Sequence, residues 1–239
     1  MVPVLALHCA LASSAAWGPL ARACGARDWI TPDLPGHGAA PDFDGRGRFM
    51  DAALERVQAA MPDGAVDLVG HSYGAVLALR LLVDLPERFR SVTLIEPVLF
   101  AAAEPGARAR HRAEMVPFAK ALAGDDRDRA AEVFHGLWGE GAWADLPQPI
   151  RRHLAARIHL IQATEPEVMD DIHGILPRLP ADREVTVILR QDPPEIVSAI
   201  AQGLATRLPK LRRYGMGQGH MLPQTAVSDV AKVLQAAWS

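Results

Sequence analysis

The chain has 239 residues, 49% of them hydrophobic but only 5% aromatic, with two cysteines and a formal net charge of −3. That is enough apolar surface for one α/β domain carrying an insertion. The charge offers no electrostatic footprint for nucleic acid, and two cysteines, Cys9 and Cys24, make no disulfide framework.

Short apolar runs bounded by turn residues alternate with helical periods, the pattern of a mostly parallel sheet with helices on its faces. The first strand is expected over Val2–His8, within an apolar opening, Met1–Ala16, that lacks the positive start of a signal peptide and is interrupted by His8. Further strands are expected at Asp28–Pro32, Val66–Gly70, Ser91–Glu96, Glu184–Arg190 and, more weakly, Lys210–Tyr214. Their continuous apolar character implies burial on both faces. Helical spacing recurs at Met50, Leu54, Val57 and Met61, at Ile196, Ile200, Leu204 and Leu208, and at Val227, Val230 and Leu234. Ala75–Val83 is apolar nearly all round, as a helix buried on a sheet must be.

One stretch, 101–182, shows helical patterns divided by Gly and Pro and no clear strand. It reads as a helical cap lying over one end of the sheet and inserted after the fourth strand, with the core made of 1–100 and 183–239. Ile150, Leu154, Ile158 and Ile161 form an apolar stripe there, with Arg151, Arg152 and Arg157 off it. No window approaches the ~20 apolar residues of a membrane span. The expectation is a cytoplasmic protein acting on a small molecule, with no nucleic-acid or membrane partner.

The sharpest signal is Gly70-His71-Ser72-Tyr73-Gly74 between a buried strand and a buried helix. A serine on such a strand-to-helix turn has its hydroxyl lifted above the sheet edge, and small glycines let strand and helix approach. A serine needs a base to become nucleophilic. Gly219-His220-Met221 follows the last strand, and the glycine lets a short loop turn the imidazole back toward Ser72. No histidine has the spacing of a zinc helix motif, so no metal is expected, and no lysine-containing phosphate cradle accompanies the elbow glycines, so no cofactor is expected either.

These segments, together with Leu7-His8-Cys9-Ala10, Trp17 and Asp33-Leu34-Pro35-Gly36-His37-Gly38, resemble the cap-bearing α/β-hydrolases related to esterases and carbon–carbon bond hydrolases. The resemblance covers nearly the whole chain. It implies a three-layer fold with about six strands, lacking the opening hairpin common in similar proteins. By position it gives the oxyanion hole to the backbone N–H groups of Ala10 and Tyr73, although Cys9 stands where relatives usually have glycine. It places the triad acid just after the Glu184–Arg190 strand, at Asp192, with Glu96 at the neighbouring strand tip as the alternative. Ser72, where an Asp would be needed, disfavours haloalkane dehalogenase and epoxide hydrolase chemistry. Trp138 and Trp143 in the cap and His37 in the Asp33–Gly38 loop are candidate substrate contacts, beside bland roles in the cap's own core and in a tight turn. The implied activity is hydrolysis of a small carboxylic ester through an acyl-enzyme. A ligand-binding homologue without catalysis and a serine perhydrolase or lyase remain alternatives.

Overall fold

The apolar runs become strands β1 (Val4–Leu7), β2 (Trp29–Ile30), β3 (Val66–His71), β4 (Phe89–Ile95), β5 (Val185–Leu189) and β6 (Leu211–Gly215) of the computed structural model, which describes residues 1–239. They form one sheet in the order β2-β1-β3-β4-β5-β6, parallel throughout. The helices are α1 (Gly18–Ala23), α2 (Phe49–Ala60), α3 (Tyr73–Asp84), α4 (Pro105–Glu114), α5 (Val116–Ala123), α6 (Arg127–Trp138), α7 (Gln148–Arg157), α8 (His159–Met169), α9 (Glu195–Ala205), α10 (Leu222–Thr225) and α11 (Val227–Ala237). None is long and apolar enough to cross a membrane.

Side chains alternate across each strand, and the two faces separate cleanly. Leu5, Leu7, Leu68, Leu94, Val187 and Leu189 pack with α2, α3 and α9 in the larger core. Val4, Ala6, Val69, Ile95 and Ile188 pack with α1 and α11 in the smaller one. The three layers expected from the sequence are therefore present. β1, β3 and β5 are buried along their whole length, whereas β6, at the sheet edge, exposes most of its residues. Arg212 and Arg213 on that edge strand explain its weak sequence signal and discourage pairing with another sheet.

Strand order reverses between β1, which leads outward to β2, and β3, which leads the other way. In open α/β sheets the crevice at the carboxyl ends of the strands beside such a reversal is where ligands bind. Here it lies between the loop after β1, which carries Ala10, and the turn after β3, which carries Ser72.

Helices α4 to α8 fill the segment between β4 and β5, which contains no strand. Part of it has a small core of its own, built on Phe118, Ala121, Ala130, Ala131, Ala155 and Ile158. The stripe read as one helix face is broken at Ile158, where α7 ends and α8 begins. Ile158 is fully buried in this small core, while Ile150, Leu154 and Ile161 border a cavity. One periodicity serves two destinations.

A buried charge at the opposite end of the sheet is not legible in the apolar pattern. Asp67 on β3 is fully buried, and its carboxylate accepts hydrogen bonds from Arg27 Nη2 at 2.5 Å, Arg90 Nε at 2.9 Å and Ser91 Oγ at 2.7 Å. Removing one member of a buried pair strands the others and costs roughly 3–5 kcal/mol. Arg90 reaches solvent, so the lower end applies. Asp67→Ala is expected to lower unfolding stability by about 3 kcal/mol in a denaturant titration, with the KM of the folded fraction unchanged.

Candidate active site

β3 and α3 are joined by a single residue, Ser72, with φ 56° and ψ −118°. A non-glycine residue at positive φ is strained and persists only where its surroundings over-determine it. Those surroundings are the flanking glycines and a hydrogen bond from Ser72 N–H to the Ile95 carbonyl at 2.9 Å. A Cβ on Gly70 would lie 2.4 Å from the Gly74 carbonyl oxygen, and one on Gly74 would lie 2.1 Å from the Leu7 carbonyl oxygen. Neither position accepts a side chain without a shift of backbone, so strand, turn and helix are held close together and Ser72 borders the cavity above the sheet.

His220 borders the same cavity from the loop between β6 and α10. Gly219 before it has φ 71°, and its missing side chain makes room for the Glu140 carboxylate. His71 Nε2 donates to the His220 carbonyl at 2.8 Å, so this elbow histidine anchors the loop that carries His220. No hydrogen bond joins Ser72 to His220 in this structure; such pairs are often loose until substrate tightens them.

The other imidazole nitrogen meets Glu96. His220 Nδ1 lies 3.1 Å from Glu96 Oε2. Glu96 follows β4 directly, is fully buried and has a positive φ of 48°, fixed by a hydrogen bond from its own N–H to the Ile188 carbonyl at 2.8 Å. Burial alone would push its carboxyl up. Hydrogen bonds and charges from His220 and Arg190 outweigh that and hold it below the usual carboxylate range.

Asp192, the acid expected from the sequence, is exposed and its carboxylate has no hydrogen bond or ion pair within the protein. The chain leaves β5 through Pro193 and Pro194 into α9, which carries Asp192 away from the imidazole; Pro194, not Asp192, is the helix N-cap. What β5 presents to His220 is Arg190. The structure thus sets Ser72 and His220 on one cavity and places Glu96, the alternative named from the sequence, against the imidazole where Asp192 was expected.

The Ala10 N–H has no partner within the protein, and the Tyr73 N–H stands in the first turn of α3, where helix geometry supplies no intrahelical acceptor. Both residues border the cavity. The left-handed residue of this loop is Leu11, φ 64°, and not Cys9, so cysteine in the usual glycine position carries no backbone strain. Burial pushes the Cys9 thiol up to about 12, which favours the protonated thiol. Leu11 N–H donates to His37 Nε2 at 2.9 Å while His37 Nδ1 donates to the Pro35 carbonyl at 2.8 Å. Burial, then neighbouring His8, push His37 down to about 4, which keeps Nε2 free to accept. His37 is therefore a strut for the loop after β1. Both its nitrogens are engaged and it does not border the cavity, where the sequence suggested a substrate contact.

The cavity has a volume of about 380 Å³ and a mainly apolar lining, including Phe100, Phe118, Phe134 and Trp138. The Trp138 ring centroid is 5.1 Å from that of His220. Trp143 does not line it; its ring packs on His135 at 5.5 Å and against the small core built on Phe118 and Ala155. Of the two tryptophans, only Trp138 borders the cavity. No group of three or more His, Cys, Asp or Glu side chains is arranged to hold a metal ion.

The model of the alpha/beta hydrolase family matches residues 4–233. The chain belongs to the α/β hydrolase family. Hydrolysis is the coarse activity this membership supports. Among curated relatives, the lipase LipV of Mycobacterium tuberculosis is 27% identical over 254 aligned residues, covering 98% of this chain and 92% of that protein. Solved structures show the same fold. The haloalkane dehalogenase DatA from Agrobacterium tumefaciens C58 superposes with a TM-score of 0.74 at 20% identity, covering 99% of this chain and 88% of that one. The thioesterase domain from the curacin biosynthetic pathway gives 0.63 at 20% identity, with 98% and 90% covered.

Two features of this α/β hydrolase escaped the sequence. Glu167 on α8 is buried and accepts from Tyr73 Oη at 2.6 Å and from Met50 N–H at 2.9 Å, tying α8 to the residue after Ser72 and to the start of α2. Burial, then the Glu167 charge, push the Tyr73 phenol well above its usual value, so it stays a donor. Arg190 wraps Glu96. Neither lies in a motif, since each acts through residues far from it in sequence, 94 positions away for both Tyr73–Glu167 and Glu96–Arg190.

Proposed function

We propose that this α/β hydrolase is a serine hydrolase that cleaves small carboxylic esters with an apolar acyl part. The observation that carries this reading is a strained serine opening on the same apolar cavity as a histidine whose far nitrogen rests on a buried carboxylate.

In the proposed mechanism Ser72 Oγ attacks the ester carbonyl while His220 Nε2 takes its proton. Glu96 holds Nδ1–H, fixing the tautomer that leaves Nε2 free and stabilising the imidazolium that forms. The backbone N–H groups of Ala10 and Tyr73 receive the oxyanion; one such donor is worth roughly 3–4 kcal/mol in favourable cases. The tetrahedral intermediate collapses as His220 protonates the leaving alkoxide, and the alcohol departs. Water then attacks the acyl-enzyme with His220 again as base, releasing the carboxylic acid and restoring Ser72. No cofactor enters these steps.

Residues 101–182 act as a cap over a core of 1–100 and 183–239. Trp138 forms part of the cavity wall beside the imidazole, and the acyl chain lies among the cap's apolar side chains. The likeness to a lipase supports an ester as substrate.

Nitrophenyl esters of increasing acyl length test the substrate, and a fluorophosphonate probe tests the nucleophile. The expected result is turnover that improves as the chain fills the cavity, with the probe found on the Ser72 peptide by mass spectrometry. Probe on another residue, or no labelling with no ester turned over, would overturn the reading.

A further inference from the structure

Where the resemblance expects an acid, at the end of β5, this chain places a guanidinium. Arg190 makes three hydrogen bonds to Glu96: its backbone N–H to Oε1 at 2.7 Å, and Nε and Nη2 to Oε2 at 2.8 and 2.6 Å. Oε2 therefore receives Arg190 twice and His220 Nδ1 once. Arg190 Nη2 also lies 3.2 Å from His220 Nδ1. Nη2 carries only protons, so with Nδ1–H held on Glu96 the two nitrogens cannot bond, and their proximity sets a fixed positive charge against the imidazolium.

We propose that Arg190 is a positioning residue that neutralises Glu96 and thereby holds the general base unprotonated to lower pH than an uncompensated Glu–His pair would. This rests on the roles given above to Ser72, His220 and Glu96. In an ordinary triad the acid stabilises the imidazolium with a full negative charge. Here a cation in contact with both partners cancels much of that attraction, while its fork keeps the carboxylate from rotating away from Nδ1.

The remaining charged or titratable neighbours do not supply the same effect. His71, from the end of β3, gives its Nε2 proton to the His220 carbonyl, and burial first, then His220, hold it well below its usual value and uncharged. Glu140, from the loop after α6, approaches the backbone of the His220 loop, accepting from Met221 N–H at 3.3 Å, and does not contact the imidazole. Trp138 covers the ring on the cap side and carries no charge.

The test is a nuclear magnetic resonance titration of isotope-labelled histidine, with the His220 signal assigned by its loss in His220→Gln, beside pH profiles of kcat/KM on a nitrophenyl ester. Arg190→Gln and Arg190→Met, the second preserving the packing of the stem, are both expected to raise the His220 midpoint by about one pH unit, the scale of a charge at contact distance. The acid limb of the rate profile should move by the same amount. KM should stay within about twofold, because Arg190 does not line the cavity. Arg190→Lys, which restores the charge without the fork, should return the midpoint to within a few tenths of a unit but not the full kcat. A midpoint unmoved in the Gln and Met variants overturns the proposal, as does a Lys variant displaced as far as they are. The titration reads Arg190 whether or not the ester is turned over; failure of the parent to hydrolyse esters would count against the proposed function alone.

Discussion

Replacing Glu96 by Gln is expected to lower kcat by roughly 10³–10⁴-fold, the range seen when a triad acid loses its charge but keeps its shape, while Asp192→Ala stays within about twofold of the parent. Glu96 accepts four hydrogen bonds, three from Arg190 and one from His220. An amide cannot accept all of them. With its oxygen at the Oε2 position, the NH₂ opposes the Arg190 N–H. With the amide reversed, the NH₂ opposes the guanidinium and faces Nδ1, which favours the imidazole tautomer unable to take the serine proton. Either arrangement removes the negative charge that supports the imidazolium. Thermal melts of both variants separate this loss from unfolding. Because Glu96 is held below the usual carboxylate range, its own protonation should not limit the parent's rate at mildly acidic pH, and the acid limb should report the histidine. A rate unaffected by Glu96→Gln, or lost in Asp192→Ala, would return the acid to the end of β5.

The acid shows where sequence reading runs out. Ser72 is legible because a strand, a Gly-x-Ser-x-Gly turn and an all-apolar helix constrain one another within twenty residues. His220 is legible because a glycine-flanked histidine follows the last strand. All six strands fall where apolar runs stand between turn residues, and the parallel sheet follows from their alternation with helices. The proposed acid depends on something else, namely which of two neighbouring strand tips points a carboxylate at the imidazole. Glu96 does so by adopting a positive φ, and Asp192 fails because two prolines lead it into α9. No residue type announces either event.

The aromatic residues teach a related lesson. Trp138 and Trp143 are close in sequence and alike in chemistry, yet one lines the cavity and the other packs against the small core between α5 and α8. A stripe of apolar positions says that a face is covered, not what covers it. His37 is similarly ambiguous, because a histidine in a tight loop becomes support or contact according to whether both its nitrogens are already used.

Gly74→Ala is expected to cost about 3 kcal/mol of stability, at the upper end of overpacking effects, and to lower kcat of the surviving folded enzyme by about 10²-fold or more. The added methyl would sit 2.1 Å from the Leu7 carbonyl oxygen and 2.7 Å from that of His8. Those are backbone atoms of β1 and its exit, so no rotamer change relieves the contact, and α3 must retreat from β1. Tyr73 rides on α3, and Ala10 lies two residues beyond His8. Retreat therefore widens the gap between the two N–H groups proposed to share one oxyanion, an error that a fixed site tolerates poorly. Gly136 supplies the control, since a methyl there would meet nothing within 4 Å and the residue sits inside α6. Gly136→Ala should leave kcat unchanged and stabilise by up to about 1 kcal/mol through helix propensity. Denaturant titration reads the first quantity, and turnover per fluorophosphonate-titrated site reads the second. Equal behaviour of the two alanines would mean that the β1–α3 contact can relax freely, and the close approach of strand and helix would then not be what fixes the oxyanion geometry.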